Sequence, residues 1–260
     1  MLIKTVKLMV IAARLSFFLA LLVSTPSIAK EKVYVSLSYD DALPSQLEHA
    51  VPALDKFGFK GAFYLVPTNP GFDSHYDQWA QIAERGHELS NHSFTHPCRS
   101  SLPGRGWVPI DNDLDTLSVE EMEAQVIRAN KALTKLDGKQ ARTYTIPCGD
   151  VLAAGENYLP AIRKHVIAIK GHTLPADEEI ILAPTEITAE VLISLVADQP
   201  ESVKVINIIF HGVGGDYLSV TKDAHMALLA FLDTHREQYV VDTYKAIVEK
   251  LRMESPESSE

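Results

Sequence analysis

The sequence predicts an α/β fold in which a parallel sheet carries chemically active side chains at its strand ends. Short apolar runs typical of strands alternate along the chain with segments of helical periodicity. One late run, "VKVINIIFHG", is continuously apolar, as is typical of a strand buried on both faces of a parallel sheet. Repeated βα units predict either a closed or nearly closed barrel or an open doubly wound sheet. The length of 260 residues, 46% of them hydrophobic, fits one sizeable domain.

The first 29 residues (1–29) predict a secretory signal peptide that is not part of the core. Lys4, Lys7 and Arg14 form a basic start, an apolar segment "LSFFLALLV" follows, and small Ser27 and Ala29 occupy the positions that a signal peptidase reads. An uncleaved membrane anchor is the alternative, but the apolar segment is much shorter than the roughly 20 residues that span a bilayer. We therefore expect cleavage, no stable membrane anchor afterwards, and an exported protein that is periplasmic or extracellular.

Charge and cysteine content narrow the classes of partner. The formal net charge is −10, and loss of the basic signal segment makes the mature chain more acidic, which argues against a nucleic-acid partner. The cysteines are Cys98 and Cys148, and in an exported protein such a pair is compatible with a disulfide, a metal role or two free thiols.

The acidic end, residues 253–260, predicts a disordered tail, which leaves 30–252 as the domain.

The first half of the domain alternates strand and helix. The run "KVYVSLSY" alternates apolar and polar residues as a half-buried strand does. A helical segment, "PSQLEHAVPALDKFG", stops at Gly58, and "KGAFYLVP" is the second strand. A second helix stops at Gly86, and "HELSNHS" is a short third strand.

The second half begins with a long surface loop over 98–117, rich in Gly, Pro, Ser and Asp. Ser118 and Glu121 form a capping-box pattern that predicts the start of a helix ending at Gly138. The runs "RTYTIP" and "HVIAIKG" are short strands. After "VKVINIIFHG" the order is helix, strand and helix, in "AHMALLAFLDTHR", "YVVDTY" and "KAIVEKLR".

Residues just after the predicted strands are the candidates for chemistry, because ligands collect at the carboxyl ends of strands in such folds. They are Asp40, Asp41, His92, His96, Cys148 and His211.

Two histidines four residues apart, His92 and His96, can face one metal ion, and one added carboxylate would complete a hydrolytic zinc site. Asp40 and Asp41 point in opposite directions along an extended chain, so one can bind metal while the other acts as a base. The plain alternatives are two histidines of an ordinary turn and two acids in the first turn of a helix.

Four segments in this order, "SLSYDDA", "GAFYLVP", "RGHELSNHSFTHP" and "IIFHG", resemble the polysaccharide deacetylase family, carbohydrate esterase family 4, with its NodB-homology domain. Its first motif is T-F-D-D-G and its second is H-[ST]-x-x-H, and the resemblance covers roughly residues 33–250. It implies a single-domain, distorted (β/α) barrel of about seven parallel strands. It also implies a hydrolase of non-peptide carbon–nitrogen or ester bonds that removes N-acetyl or O-acetyl groups from a polysaccharide or oligosaccharide. The implied cofactor is one divalent metal, usually Zn²⁺, with Co²⁺ or Ni²⁺ as alternatives.

The resemblance also assigns roles to residues. Asp40 would be the catalytic base and His211 the general acid that protonates the leaving group. The metal ligands would be Asp41, His92 and His96.

Two further segments have supporting roles in the family. Ser93 would brace the histidine loop through its hydroxyl. In "TIPCG", which stands where the family has R-x-P-Y-G, the backbone N–H of Cys148 would help bind the oxyanion, with Pro147 as a supporting residue.

The sequence departs from the family pattern at the support of the base. Thr145 stands where the family usually has an arginine that orients the base, and no later Asp-Trp motif is present to partner such an arginine. Ala42 replaces the usual glycine, and Tyr39 the usual phenylalanine. The metal ligands are intact, so the departures concern how Asp40 is tuned.

Cys98 lies just beyond His96, and Cys148 lies in the third motif, so both are expected at the rim of one pocket and joined by a disulfide. Two buried thiols or metal-binding thiolates are the alternatives. Arg105 and Trp107 in the long loop, and Tyr217 after the last motif, are candidate sugar contacts, although a loop tryptophan can equally pin down its own loop.

Two other functions compete with deacetylation. The chain could be a catalytically impaired carbohydrate-binding protein that retains the metal pocket, or a zinc amidase that acts on peptidoglycan.

Overall fold

The computed structural model describes residues 32–254, so the predicted signal peptide, 1–29, lies outside the described residues. The strands are β1 (Val33–Asp40), β2 (Ala62–Leu65), β3 (Glu88–Asn91), β4 (Thr143–Tyr144), β5 (Leu152–Ala153), β6 (Glu156–Asn157), β7 (Ala168–Ile169), β8 (Glu179–Leu182), β9 (Val205–Phe210) and β10 (Tyr239–Val241). The helices are α1 (Val51–Phe57), α2 (Pro70–Ser74), α3 (Tyr76–Glu84), α4 (Val119–Asp137), α5 (Leu159–Ile162), α6 (Ala189–Ala197), α7 (Lys222–Thr234) and α8 (Tyr244–Glu254).

One curled parallel sheet organises the domain. Its strands lie in the order β7-β4-β3-β2-β1-β9-β8, and every neighbouring pair is parallel. The short β10 pairs with the first half of β1. The predicted single-domain α/β fold with about seven parallel strands in a distorted barrel is confirmed, and the barrel is half closed.

The central strand β1 shows how the sheet separates an apolar layer from a polar interior. Because successive side chains alternate in direction, one face of β1 carries three apolar residues that join the core with α1 and α7, namely Val35, Leu37 and Tyr39. The opposite face carries three buried polar residues, namely Ser36, Ser38 and Asp40. The interior of the half-barrel is therefore polar along β1, and this polar row ends at Asp40.

The predicted start of the longest helix is confirmed. The Ser118 hydroxyl accepts a hydrogen bond from the Glu121 N–H at 3.2 Å, and the Ser118 N–H donates to the Glu121 carboxylate at 2.8 Å. The helix α4 then ends at Gly138, whose φ of 72° is accessible to glycine without strain.

Several elements escaped the sequence analysis. Strand β8, helix α2, helix α6 and the antiparallel hairpin β5–β6 were not predicted. Helix α8 continues through Glu254, so the first two residues of the predicted tail, 253 and 254, are helical, and 255–260 lie outside the described residues. Of the helices between residues 32 and 254, none is both long and apolar enough to cross a bilayer.

Candidate active site

The predicted strand-end residues converge on one cleft of about 960 Å³ at the carboxyl ends of the parallel strands. The residues singled out from the sequence that line this cleft are Asp40, Asp41, His92, His96, Trp107, Thr145, Cys148, His211 and Tyr217. Segments that are far apart in sequence are thus brought together at one edge of the sheet.

Three of these side chains form a candidate metal site. Oδ1 of Asp41 lies 3.5 Å from Nε2 of His92 and 3.5 Å from Nε2 of His96. The potential ligand atoms of the three residues all lie within 4.8 Å of one another. Oδ1 of Asp41 is buried and has no hydrogen-bond partner. A carboxylate and two imidazoles facing one another in this way fit a divalent cation with an open coordination position.

Hydrogen bonds outside the triad orient its members. Nδ1 of His92 lies 2.8 Å from the Thr145 carbonyl oxygen, so it carries the proton and leaves the Nε2 lone pair facing Asp41. The predicted brace at Ser93 is in place, since its hydroxyl accepts a hydrogen bond from the His96 N–H at 3.0 Å. Thr145 therefore supports the site through its backbone, whereas its buried side-chain oxygen has no hydrogen-bond partner.

Burial controls the protonation of the two histidines. It lowers the pKa of His92, and it lowers the pKa of His96 to about 4, with the neighbouring His92 acting in the same direction. Both imidazoles are consequently neutral near pH 7, which is the form that binds metals.

The backbone is left-handed at several positions of the site. Asp41, Ala42, Ser93, His96 and Cys148 have φ values of 79°, 61°, 63°, 57° and 56°. Such values are uncommon outside glycine, and they cluster at functional sites. At Ala42 the φ value gives a physical reason why glycine is usual at this position of the family motif.

Asp40 lies beside the triad but is held differently. Its Oδ2 is 3.5 Å from Nε2 of His92, and its Oδ1 is buried without a hydrogen-bond partner. Burial raises the pKa of Asp40, while His211 and Lys170 act in the opposite direction. A carboxyl group with a raised pKa in a cleft is a reasonable candidate for proton transfer near neutral pH.

Gln46 connects the two candidate proton-transfer residues and was missed by the sequence analysis. Its side-chain amide donates a hydrogen bond to the Asp40 carbonyl oxygen and another, at 3.1 Å, to the His211 carbonyl oxygen. Gln46 is fully buried in the π-helical turn Gln46–Ala50 after β1. A lone glutamine in a helical pattern carries no sequence signal of such a role.

The segment after β9 positions His211 and Tyr217. Nε2 of His211 lies 3.7 Å from Oδ2 of Asp41, and the Tyr217 hydroxyl donates a hydrogen bond to the same oxygen at 2.9 Å. Gly212 permits this fold-back, because a Cβ there would lie 2.0 Å from the Gly215 carbonyl oxygen. Tyr217, which the sequence predicts as a sugar contact, hydrogen-bonds a candidate metal ligand, and the sugar contact stays a prediction.

Cys98 and Cys148 form a disulfide, as predicted, at a sequence separation of 50 residues. The bond joins the loop after His96 to the third motif, and it removes the thiolates that an alternative metal site would need. Arg105 forms an ion pair with Asp150 and donates to the Cys148 carbonyl oxygen at 3.2 Å, so its guanidinium supports this same corner.

Two remaining predicted residues differ in exposure. Trp107 is 60% exposed at the edge of the cleft, so its ring is accessible to a ligand. Pro147 is buried and begins the short turn Pro147–Gly149 that carries Cys148.

A buried lysine, Lys170, also lines the cleft and was not predicted. Burial lowers the pKa of Lys170, against the opposing influence of Asp40, Glu88 and Glu179. It follows the two-residue strand β7, and a single lysine after such a short strand gave no sequence signal.

The half-barrel fold is that of the carbohydrate esterase family 4 deacetylases. The chain belongs to the polysaccharide deacetylase family, whose family model matches residues 27–165.

Solved structures share the fold at low sequence identity. The peptidoglycan deacetylase PdaC from Bacillus subtilis gives a TM-score of 0.58 at 19% identity, over 88% of this chain and 96% of that one. The family 4 domain of a multidomain xylanase from the hindgut metagenome of Trinervitermes trinervoides gives 0.57 at 15% identity, over 85% and 91%. A family 4 pseudoenzyme from Bacillus anthracis gives 0.57 at 16% identity, over 84% and 66%. A comparison with curated protein sequences gives no match.

Proposed function

We propose that this protein is an exported, metal-dependent hydrolase that removes acetyl groups from a polysaccharide or oligosaccharide. The observation that carries the proposal is the carboxylate Oδ1 of Asp41 facing two neutral imidazoles, with a second carboxylate, Asp40, alongside at 3.5 Å from His92. Membership of the polysaccharide deacetylase family supports the reaction class.

The donor set fits a zinc-like ion. Asp41, His92 and His96 would hold it, with the Nδ1 proton of His92 and the Tyr217 hydroxyl keeping the ligand atoms in position. A divalent ion bound there would supply Lewis-acid activation of a water molecule and of the acetyl carbonyl group. Zn²⁺ is the ion that we expect first, with Co²⁺ or Ni²⁺ as alternatives.

The chain's own groups would carry the proton transfers. Asp40 would accept the proton of the attacking water, and His211, on the other side of Asp41, would donate a proton to the departing sugar nitrogen or oxygen. The Cys148 N–H, on a turn fixed by the disulfide, would donate to the oxyanion of the tetrahedral intermediate. Trp107 is exposed at the cleft edge, where a sugar ring could stack on it.

The test is acetate release measured with acetylated chitooligosaccharide, peptidoglycan and acetylxylan, with zinc, cobalt and chelator arms, alongside metal analysis of the purified protein. We expect acetate from at least one substrate and loss of activity on chelation. Bound metal without acetate from any of the three would favour a carbohydrate-binding protein. Release of peptide from peptidoglycan without acetate would favour a zinc amidase.

Asp40→Asn tests the assignment of the base. We expect the variant to keep its metal and to lose about 10² to 10⁴-fold in kcat, since this is the usual contribution of a positioned general base. Gln46 holds the Asp40 backbone, so the substitution should leave the loop in place. Near-normal turnover by this variant would contradict the role of Asp40.

A further inference from the structure

Lys170 lies beside Thr145, the residue at which the sequence departs from the family motif. Strand β7 pairs in parallel with β4, with Tyr144 opposite Ile169, and the Lys170 N–H donates to the Tyr144 carbonyl oxygen at 2.9 Å. Lys170 is therefore level with Thr145, one strand further along the sheet. Thr145 is the position at which an arginine would otherwise support the base.

The Lys170 side chain reaches the polar face of β1. Only 1% of Lys170 is exposed, and its ammonium donates a hydrogen bond to the Ser38 hydroxyl. Ser38 lies two residues before Asp40, so the two side chains share one face of β1. The ammonium also lies 4.5 Å from the ring centroid of Tyr64, which is the register partner of Asp40 in β2.

The other acids around Lys170 already have partners. Glu88 accepts hydrogen bonds from the Thr143 hydroxyl and, at 3.0 Å, from the Lys245 N–H. Glu179 accepts one from the Asn207 amide at 2.6 Å. Asp40 and Glu179 each keep one buried carboxylate oxygen with no hydrogen-bond partner. A buried ammonium is costly unless it compensates a buried anion, and of these two acids Asp40 shares a face of β1 with Ser38, the hydrogen-bond partner of Lys170.

We propose that Lys170 is a positioning residue whose positive charge holds the Asp40 carboxylate in place. In the family pattern this charge comes from an arginine at the position of Thr145, after β4. In this protein it would come from Lys170, after the neighbouring strand β7. The inference rests on the proposed role of Asp40 as the base. It accounts for the loss of the arginine without loss of the reaction, and it assigns a function to a buried lysine that otherwise has none.

The first test measures the coupling of the two residues without using activity. Urea unfolding of the metal-free protein is compared for the wild type, Lys170→Met, Asp40→Asn and the double variant. We expect Lys170→Met to raise the equilibrium constant of unfolding by a factor that is at least tenfold smaller in the Asp40→Asn background than in the wild type. The reason is that the Asp40→Asn background has no Asp40 carboxylate to be left without its cation. If Lys170→Met does not fold, Lys170→Gln serves in the same cycle, since it removes the charge and keeps a donor for Ser38.

The same set of four proteins, with Glu179→Gln in place of Asp40→Asn, measures the coupling of Lys170 to Glu179. This control distinguishes support of Asp40 from a structural ion pair between Lys170 and Glu179. Coupling of Lys170 to Glu179 with none to Asp40 would overturn the inference.

The second test uses kinetics. We expect Lys170→Met to lower kcat about 10²-fold with little change in KM, in line with weakened general-base catalysis, and with metal content unchanged. Lys170→Arg should recover part of the loss, and Lys164→Met, which removes a 65% exposed side chain, should have no effect. An unchanged kcat in Lys170→Met would overturn the inference.

The two tests distinguish failure of this inference from failure of the proposed function. Coupling between Lys170 and Asp40 in a wild type that releases no acetate would contradict the proposed activity and support the pairing. Acetate release without coupling would contradict the pairing alone.

Discussion

Removal of the disulfide between Cys98 and Cys148 should destabilise the protein strongly and the metal site only moderately. The double variant Cys98→Ala/Cys148→Ala opens a cross-link with a sequence separation of 50 residues, for which loop-closure entropy gives a loss of about 4 kcal/mol. For a domain of this size, that loss corresponds to a drop in Tm of roughly 10 °C.

Other contacts should keep the two loops near their positions. The Asn112 side chain donates to the carbonyl oxygen of His96 at 3.1 Å, and Arg105 holds the carbonyl oxygen of Cys148. Metal affinity should therefore fall by no more than about tenfold, the lower end of the effect seen when support around a metal ligand is lost.

The assay is urea and thermal unfolding of the wild type and the double variant, each with and without reductant. We expect reductant to lower the midpoint of the wild type alone. Equal midpoints for the wild type and the variant, or two free sulfhydryls in the unfolded and unreduced wild type, would refute the reasoning.

Three further predictions concern the metal site and the core. Asp41→Asn should reduce bound metal from about one equivalent to almost none by elemental analysis, whereas His235→Gln, at an exposed histidine, should retain it. Tyr217→Phe should weaken metal binding about 10- to 100-fold by calorimetry, because the bond to the ligand carboxylate is lost, while the neighbouring Leu218→Ala should not. Burial lowers the pKa of His225 to about 4, below its unfolded value, so the folded state binds fewer protons and stability is lost as pH falls from about 6.5 toward 4. Unfolding measured at pH 7 and pH 5 should accordingly show a loss about 2 kcal/mol smaller in His225→Phe than in the wild type, and an equal loss would contradict the assignment.

The sequence was informative where a residue type and its place after a strand signalled the same chemistry. The convergence of Asp41, His92 and His96 could be predicted because parallel strands bring their carboxyl ends together. Their roles as metal ligands come from the resemblance of the four motifs, in order, to one family, and these roles stay a prediction. The structure brings these side chains within ligand distance of one another.

No sequence pattern predicted Lys170 or Gln46 as parts of the site, because both are common residue types and their contacts depend on the folded chain. Lys170 lies 132 residues from Ser38 in sequence, and only the closure of the sheet places its ammonium beside β1. Gln46 sits in a π-helical turn, which amphipathic periodicity does not reveal. Strand β8 escaped because its four residues begin with a charged Glu179 that is buried by pairing with Asn207, not by apolar packing.

The left-handed backbone at Asp41 and His96 has a consequence for how an ion would enter and leave this protein. These conformations cost roughly 1 kcal/mol or more each, and hydrogen bonds within the protein hold them, from the Asp41 N–H to the Tyr64 carbonyl oxygen at 3.0 Å and from the His96 N–H to the Ser93 hydroxyl at 3.0 Å. We therefore expect the metal-free protein to keep the side chains of Asp41 and His96 in the positions that bind the ion. The ion would then be an exchangeable part, drawn from the metals available around the folded protein, and chelation followed by reloading should restore the original state without refolding.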